Sequence, residues 1–414
     1  MIHWGMIDAL GKVNLSYTPI PSQPRGMINT GNTCYMNSIL QSLNSVVPFH
    51  QLLHTLSRTV VHSLNSQTPI LDSMIEFIKE FHMESPDEDG KDQEDVYDAL
   101  RKNGKFASLK GRQEDAEEFL TALLDGMHEE MAKCNSGRTT QEQRETEGGW
   151  MEMGPGKRVS VTRRVGEVAG EGEEESWIKQ LFGGKLCSTI QRRGGGVGGH
   201  GAKDSATVEP FLSLHLDISE DGVYTIEDAL ELLCREEELE VVHASGGGGG
   251  GNGTSGAGTG RRVMKRTAIE HLPPVLILHL KRFVYDPLEG TIKLRKHIHY
   301  PNHLSISPRL MKVRTVGKAP SLPSKEYELT AVVYHHGRIA SGGHYTCDIR
   351  APSGPSLSSS PSSAASPSSS RAWLRMDDTR VHRVEEEWVF GDPSLKGDLE
   401  DVSGDAYLLF YTCR

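Results

Sequence analysis

The residues of this chain best suited to chemistry are a cysteine, a histidine and a pair of aspartates, and they lie far apart in sequence. Residues 26–43 read GMINTGNTCYMNSILQSL. Asparagines and glycines crowd a loop that ends at Thr33, after which Met36, Ile39, Leu40 and Leu43 fall at helical spacing. Cys34 therefore stands in the first turn of a buried helix, with Thr33 or Asn32 as its N-cap. Helix N-termini carry partial positive charge and unpaired N–H groups, which favour a thiolate over a thiol. Asn29, five residues upstream, brings a side-chain amide that can meet a developing oxyanion. An isolated cysteine is more often an inert packing residue. The assignment depends on what else the chain supplies.

An acyl-transfer thiol needs an imidazole to take its proton and later to protonate the leaving group. Residues 333–348, VYHHGRIASGGHYTCD, place His344 after Gly342 and Gly343 in a β-prone run. The glycines leave backbone open to a thin, extended substrate. Residues 373–381, WLRMDDTRV, follow, and there Asp377 or Asp378 can hold the imidazole tautomer as the third member of a triad. Taken singly, these residues also fit a satisfied structural histidine and an Asp-Asp turn.

Together the segments resemble the ubiquitin-specific protease family. GNTCYMNSILQ is similar to that family's Cys box, and SGGHYT, WLRMDD and GDAYLLFY are similar to its His box. Between them, GRQEDAEEFL (111–120) and LPPVLILHLKRF (272–283) match two further signatures in the right order. The likeness runs from residue 24 to residue 411, and LFGGKL, SATVEPFLSLHLDI and VYHHG are most similar to the ubiquitin carboxyl-terminal hydrolase 10 branch. The resemblance implies an α+β, papain-like cysteine peptidase with a helical thumb, a β palm and β fingers. It implies a thiol-dependent deubiquitinase that hydrolyses the (iso)peptide bond after the C-terminal glycine of ubiquitin. Cys34 is then the nucleophile, His344 the general base and acid, Asp377 the orienting carboxylate, Asp378 a helper and Asn29 the oxyanion donor. Asp115 and Glu118 match acidic positions that meet the basic tail of ubiquitin, where charge-assisted bonds are strong. Gly343 and Tyr345 match the narrow cleft for the Gly-Gly terminus.

Other readings stay open. In residues 116–131, Phe119, Leu120, Leu123, Leu124 and Met127 make a core stripe, with Asp115 as a cap. A catalytically inactive ubiquitin-binding module would usually lack one of Asn29, Cys34, His344 and Asp377, all present here. A protease for another ubiquitin-like modifier needs only a changed cleft.

Composition bounds the rest. Forty-five Lys and Arg against 56 Asp and Glu give a net charge of −11, which argues against nucleic acid as a partner. No apolar run reaches about 18 residues, so no membrane span is expected. Six scattered cysteines form no disulfide framework and point to a reducing, intracellular setting; the resemblance implies a monomer acting on ubiquitin and ubiquitinated proteins in the cytoplasm and nucleus. The wider family holds a fingertip zinc with two CxxC pairs. This chain has no CxxC, and Cys187 and Cys234 cannot supply the four ligands of such a site, even with His200 and His243 nearby at irregular spacing. No metal and no cofactor is expected.

Residues 1–23 read as a short N-terminal extension and 24–412 as one catalytic domain. Flexible insertions are expected at 136–175, 244–260 and 351–370, where Gly, Ser, Pro and charge replace apolar residues. The last falls between His344 and Asp377, and a hairpin tip can lengthen there at small entropic cost. Helical patterns occupy 37–45, 48–55, 69–81, 116–131 and 226–239. Strand patterns occupy 211–217, 275–283, 328–334, 343–349 and 406–411. Residues 275–278 form an apolar run typical of a buried central strand, with His279, Lys281 and Arg282 in structural roles.

Overall fold

The computed structural model describes residues 24–59, 68–80, 94–102, 113–136, 151–153, 159–164, 176–192, 205–241, 261–312, 324–339, 342–351, 372–390 and 404–414. The extension at 1–23, most of 136–175, all of 244–260 and residues 352–370 lie outside the described residues.

A helical lobe comes first: α1 (Cys34–Ser45), α2 (Val47–Thr59), α3 (Pro69–Glu80), α4 (Glu94–Lys102) and α5 (Ala116–Ser136). Each helix turns an apolar stripe inward, and in α5 this stripe is the expected Phe119, Leu120, Leu123, Leu124 and Met127, all at most 1% exposed. Next come β1 (Met151–Met153), β2 (Val159–Arg164), α6 (Trp177–Phe182), β3 (Gly184–Arg192), β4 (Ser205–Phe211), β5 (Ser213–Asp217), α7 (Ile226–Leu233), β6 (Glu236–Val241) and β7 (Arg261–His271). The remainder is β8 (Val275–Lys281), β9 (Phe283–Asp286), β10 (Gly290–Lys293), β11 (His303–Ile306), β12 (Lys325–Ile339), β13 (Gly342–Arg350), β14 (Trp373–Asp377), β15 (Arg380–Val384), the short α8 (Glu386–Val389) and β16 (Asp405–Cys413).

The strands form a palm sheet in the order β15-β14-β13-β12-β16-β8-β5, with β11 also on β12, and a second, finger-like sheet in the order β1-β2-β4-β3-β7-β6. The palm is buried on both faces, as the run at 275–278 requires. Val275 and Ile277 of β8 pack with the helices, while Leu276, Leu278 and Leu280 face a second core that includes α7 and Trp373. Arg282, just after β8, is buried at 1% exposure and donates to the carbonyls of Ala406, Leu294 and Lys296, which is the structural role expected of it.

Several boundaries differ from the sequence reading, each for a tertiary reason. The helix expected over 226–239 stops at Leu233. Residues 236–241 instead pair as β6 with β7, setting Glu236 against Arg266, Glu237 against Lys265 and Glu240 against Arg262. A run of glutamates that would repel itself along one helix finds opposite charge across a sheet. The strand expected over 211–217 divides at Leu212 into β4 of the fingers and β5 of the palm. Within 136–175 the described residues include β1 and β2, which add a hairpin to the finger sheet, so that insertion is not wholly without structure. The β13–β14 hairpin stays paired up to the Ala351 N–H donating to the Ala372 carbonyl at 2.8 Å. The long segment between them therefore leaves the strands carrying His344 and Asp377 in register.

Candidate active site

Cys34 is the first residue of α1, buried at 2% exposure. The helix ladder begins with the Asn37 N–H on the Thr33 carbonyl at 3.0 Å, so the Cys34 amide lies outside it at the positive end of the helix. Thr33 takes the N-cap position but makes no side-chain cap. Its Oγ1 instead donates to Asn29 Oδ1 at 3.2 Å, and that oxygen also accepts the Thr33 N–H at 2.9 Å and the Gly31 N–H at 3.3 Å. One asparagine side chain thus ties the loop into the shape that presents the cysteine.

The palm brings the histidine. His344 lies near the start of β13, and Asp377 ends β14, so adjacent strands carry base and carboxylate. His344 Nε2 meets Asp377 Oδ1 at 2.7 Å, which leaves Nδ1 for the thiol. The hydrogen bond with Cys34 is the largest influence on the ring. Burial opposes it, but with the Asp377 bond and the nearby Asp378 charge it raises His344 from its ordinary value near 6.5 to about 9. The charged form of the His344 ring is thereby favoured beside the Cys34 sulfur. The neighbouring His336 ring, centred 6.0 Å away, is pushed down to about 4 by burial and by the charge of His344, so no second cation competes.

Asp378 adopts φ +50°, a left-handed turn conformation that aspartate tolerates. This turn points its carboxylate back at the cysteine loop. Oδ2 accepts from Asn29 Nδ2 at 3.0 Å and Oδ1 from Asn37 Nδ2 at 2.7 Å. Asn29 therefore has its orientation fixed from both ends, with its second amide N–H as the group that an oxyanion would use. Asn37, not singled out from the sequence, is 3% exposed and one helical turn beyond Cys34. A polar residue on the buried face of an amphipathic helix was the available signal.

The other expected residues divide. Asp115 caps α5, its Oδ1 accepting the N–H groups of Glu117 at 2.7 Å and Glu118 at 3.4 Å, while Oδ2 accepts the Tyr407 hydroxyl at 2.6 Å. Burial pushes its carboxyl upward. Glu118 is exposed in the same turn, and it too is raised, first by burial and then by the charges of Asp115, Glu114 and Glu117. Tyr345, expected at the cleft, is 2% exposed and packs in the helical core, its ring against His335 and Tyr407. Gly343 does lie at the surface of the β13 start, its N–H donating to Gln113 Oε1 at 2.9 Å. It has φ +154°, and a Cβ there would come within 2.1 Å of the His336 carbonyl oxygen and 2.7 Å of His335 Nε2. Only glycine fits. Gln113, from the loop before α5, is a further contact that the sequence reading missed.

A family model described as ubiquitin carboxyl-terminal hydrolase matches residues 25–411. The chain is 37% identical to the probable ubiquitin carboxyl-terminal hydrolase 3 of Schizosaccharomyces pombe, over 98% of this chain and 78% of that protein. It is 31% identical to ubiquitin carboxyl-terminal hydrolase 10-A of Xenopus laevis, over 98% of this chain and 50% of the relative. Against Arabidopsis thaliana ubiquitin carboxyl-terminal hydrolase 24 the identity is 32%, over 94% and 64% respectively. The chain thus spans about half to three quarters of these relatives. Among solved structures it is similar to the SAGA Ubp8/Sgf11/Sus1/Sgf73 DUB module bound to ubiquitin aldehyde, with a TM-score of 0.66 at 20% identity over 99% of this chain and 73% of that one. At that identity the likeness speaks for the fold, the mixed helical and sheet architecture described above. The chain belongs to the ubiquitin carboxyl-terminal hydrolase family.

Proposed function

We propose that this chain is a thiol-dependent deubiquitinase that cleaves after the C-terminal glycine of ubiquitin. The observation that carries the reading is the Cys34–His344–Asp377 arrangement, a helix-tip thiol whose influence raises an imidazole that a carboxylate holds at 2.7 Å. The Cys34 sulfur attacks the glycine carbonyl as its thiolate. The Cys34 amide and the second N–H of Asn29 stabilise the oxyanion. His344, protonated from the start of the step, gives its Nδ1 proton to the departing lysine amine, and Asp377 keeps the tautomer and ring orientation this requires. Water, deprotonated by the same imidazole, then releases ubiquitin from the acyl-enzyme.

Asp378 acts through Asn29 and Asn37 and is a positioning residue. Glu118, with Asp115 behind it, gives the α5 tip a negative face suited to the basic tail of ubiquitin. All the reacting groups come from one chain, which supports a monomer as the working unit. The six unpaired cysteines support a reducing, cytoplasmic and nuclear setting. A ubiquitin probe ending in propargyl tests the reading. It should label the wild type and leave Cys34→Ser unlabelled. Labelling that persists in Cys34→Ser rejects the assignment. Parallel probes built on other ubiquitin-like modifiers fix the substrate class.

A further inference from the structure

We propose that Glu117, His215 and His279 form a binding site for a divalent transition metal of the zinc class, at the seam between the helical lobe and the palm. The three residues come from three elements: the first turn of α5, β5 and β8. β5 and β8 run parallel with His215 directly opposite His279, so both rings stand on one face of the sheet. The tip of α5 lies against that face and adds the carboxylate. One ligand atom from each residue lies within 4.8 Å of the other two. His215 Nε2 is 3.0 Å from Glu117 Oε1, and the two imidazoles meet edge to face at 4.7 Å between centroids.

Glu117 Oε2 and His279 Nδ1 keep lone pairs to give, and His215 would exchange its Nε2 contacts with Glu117 and Ser213, the latter at 3.1 Å, for the ion. Ser213 Oγ at 2.7 Å, Thr121 Oγ1 at 3.0 Å and His215 all contact Glu117 through Oε1, which orients the carboxylate without using Oε2. His279 Nδ1 is buried and has no hydrogen-bond partner. A buried polar atom left in that state is uncommon, and a cation is one of the few groups that explains it. Two imidazoles and one carboxylate is a donor set zinc accepts, with a fourth position left for water. Imidazole also discriminates in favour of zinc, copper and nickel over the hard cations. His215 is half exposed and opens the route by which the ion enters. Metal bound there would fasten α5 to β5 and β8. The site uses no cysteine and is unrelated to the fingertip CxxC pairs that this sequence lacks.

The other described grouping with similar spacing is His344, Asp377 and Asp378, within the catalytic set itself. The test therefore uses Cys34→Ala, which removes the reactive thiol, and reads equilibrium binding, so it fails or succeeds independently of the peptidase reading. Cobalt(II) and zinc are titrated into the full chain, followed by the cobalt absorption spectrum and by calorimetry. One metal per chain is expected, with a nitrogen and oxygen ligand spectrum that lacks a thiolate charge-transfer band. Adding His215→Ala, an exposed change that should leave the fold intact, should weaken binding by more than the roughly 10–100-fold typical of losing an outer hydrogen-bond partner. It should also abolish the rise in thermal midpoint that zinc produces. His303→Ala, an exposed histidine elsewhere, should bind as the parent does. Absence of binding, a thiolate band, or affinity unchanged by His215→Ala overturns the proposal.

Discussion

Replacing Asp377 with asparagine separates the charge of the third triad member from its shape. The amide has the size of the carboxylate and can still accept from His344 Nε2, so the ring stays where the 2.7 Å bond now holds it. The charge alone is lost. A hydrogen bond to an ionised partner contributes about 1.5–3 kcal/mol and a neutral one about 0.5–1.5 kcal/mol, a difference of about 1–1.5 kcal/mol. At 1.36 kcal/mol per pKa unit this is about one unit. The two side chains are 38% and 34% exposed, and solvent screening reduces the effect to about half a unit to one unit. The Cys34 bond, the largest cause of the elevation to about 9, remains.

The sign follows from the direction of the shift. A histidine raised in the folded state contributes its ion-pair stabilisation fully below the ordinary value near 6.5 and loses it as pH rises through about 9. The alkaline limb of kcat/KM should therefore fall near pH 9 in the wild type. In Asp377→Asn it should fall about half a unit to one unit lower. The assay is hydrolysis of a ubiquitin-rhodamine substrate from about pH 6 to about pH 10, spanning free and raised imidazole. A limb that stays in place or moves upward in Asp377→Asn refutes the idea that the carboxylate charge helps hold the imidazolium.

Asn37→Ala removes a donor from Asp378 and frees Asn29 to turn, so it should cost about 1–3 kcal/mol in urea unfolding and lower kcat far more than it raises KM. A purely structural residue would lower stability without that kinetic split. Gly343→Ala forces a Cβ against the His336 carbonyl. It should shift the β13 start, lower activity by roughly 10²-fold or more and destabilise by about 1–3 kcal/mol, read by turnover and thermal melts. Arg375→Met strands Asp348, which is fully buried and held by two 2.8 Å bonds. Breaking such a pair costs about 3–5 kcal/mol, visible in the urea midpoint.

The reactive residues were legible because local physics selects them. A cysteine after a loop of Asn and Gly and before an amphipathic helix is marked by the chain within a dozen residues of it. The helices α1, α2, α3 and α5 and the double-sided strand β8 were legible for the same reason, since 3.6-residue periodicity and unbroken apolar runs are local signals. Residues 236–241 were not legible, because their strand state depends on Arg and Lys partners some 25 positions onward in β7. Asn37, Gln113 and Glu117 were missed on similar grounds. Each is an ordinary polar residue until folding sets a partner from another lobe beside it.

The sequence alone determined which groups can react: a thiol at a helix tip, an imidazole behind two glycines, and two adjacent aspartates. Residue types alone left open which aspartate serves the imidazole, and the family resemblance assigned that role to Asp377 with Asp378 as helper. Tertiary structure decided that, because β14 ends with Asp377 beside His344, while the next residue turns left-handed and sends its carboxylate to Asn29 and Asn37. It also set His215 opposite His279. Side-chain types are local properties of a chain, whereas the distance between two groups hundreds of residues apart is fixed only when sheet register and core packing close around them.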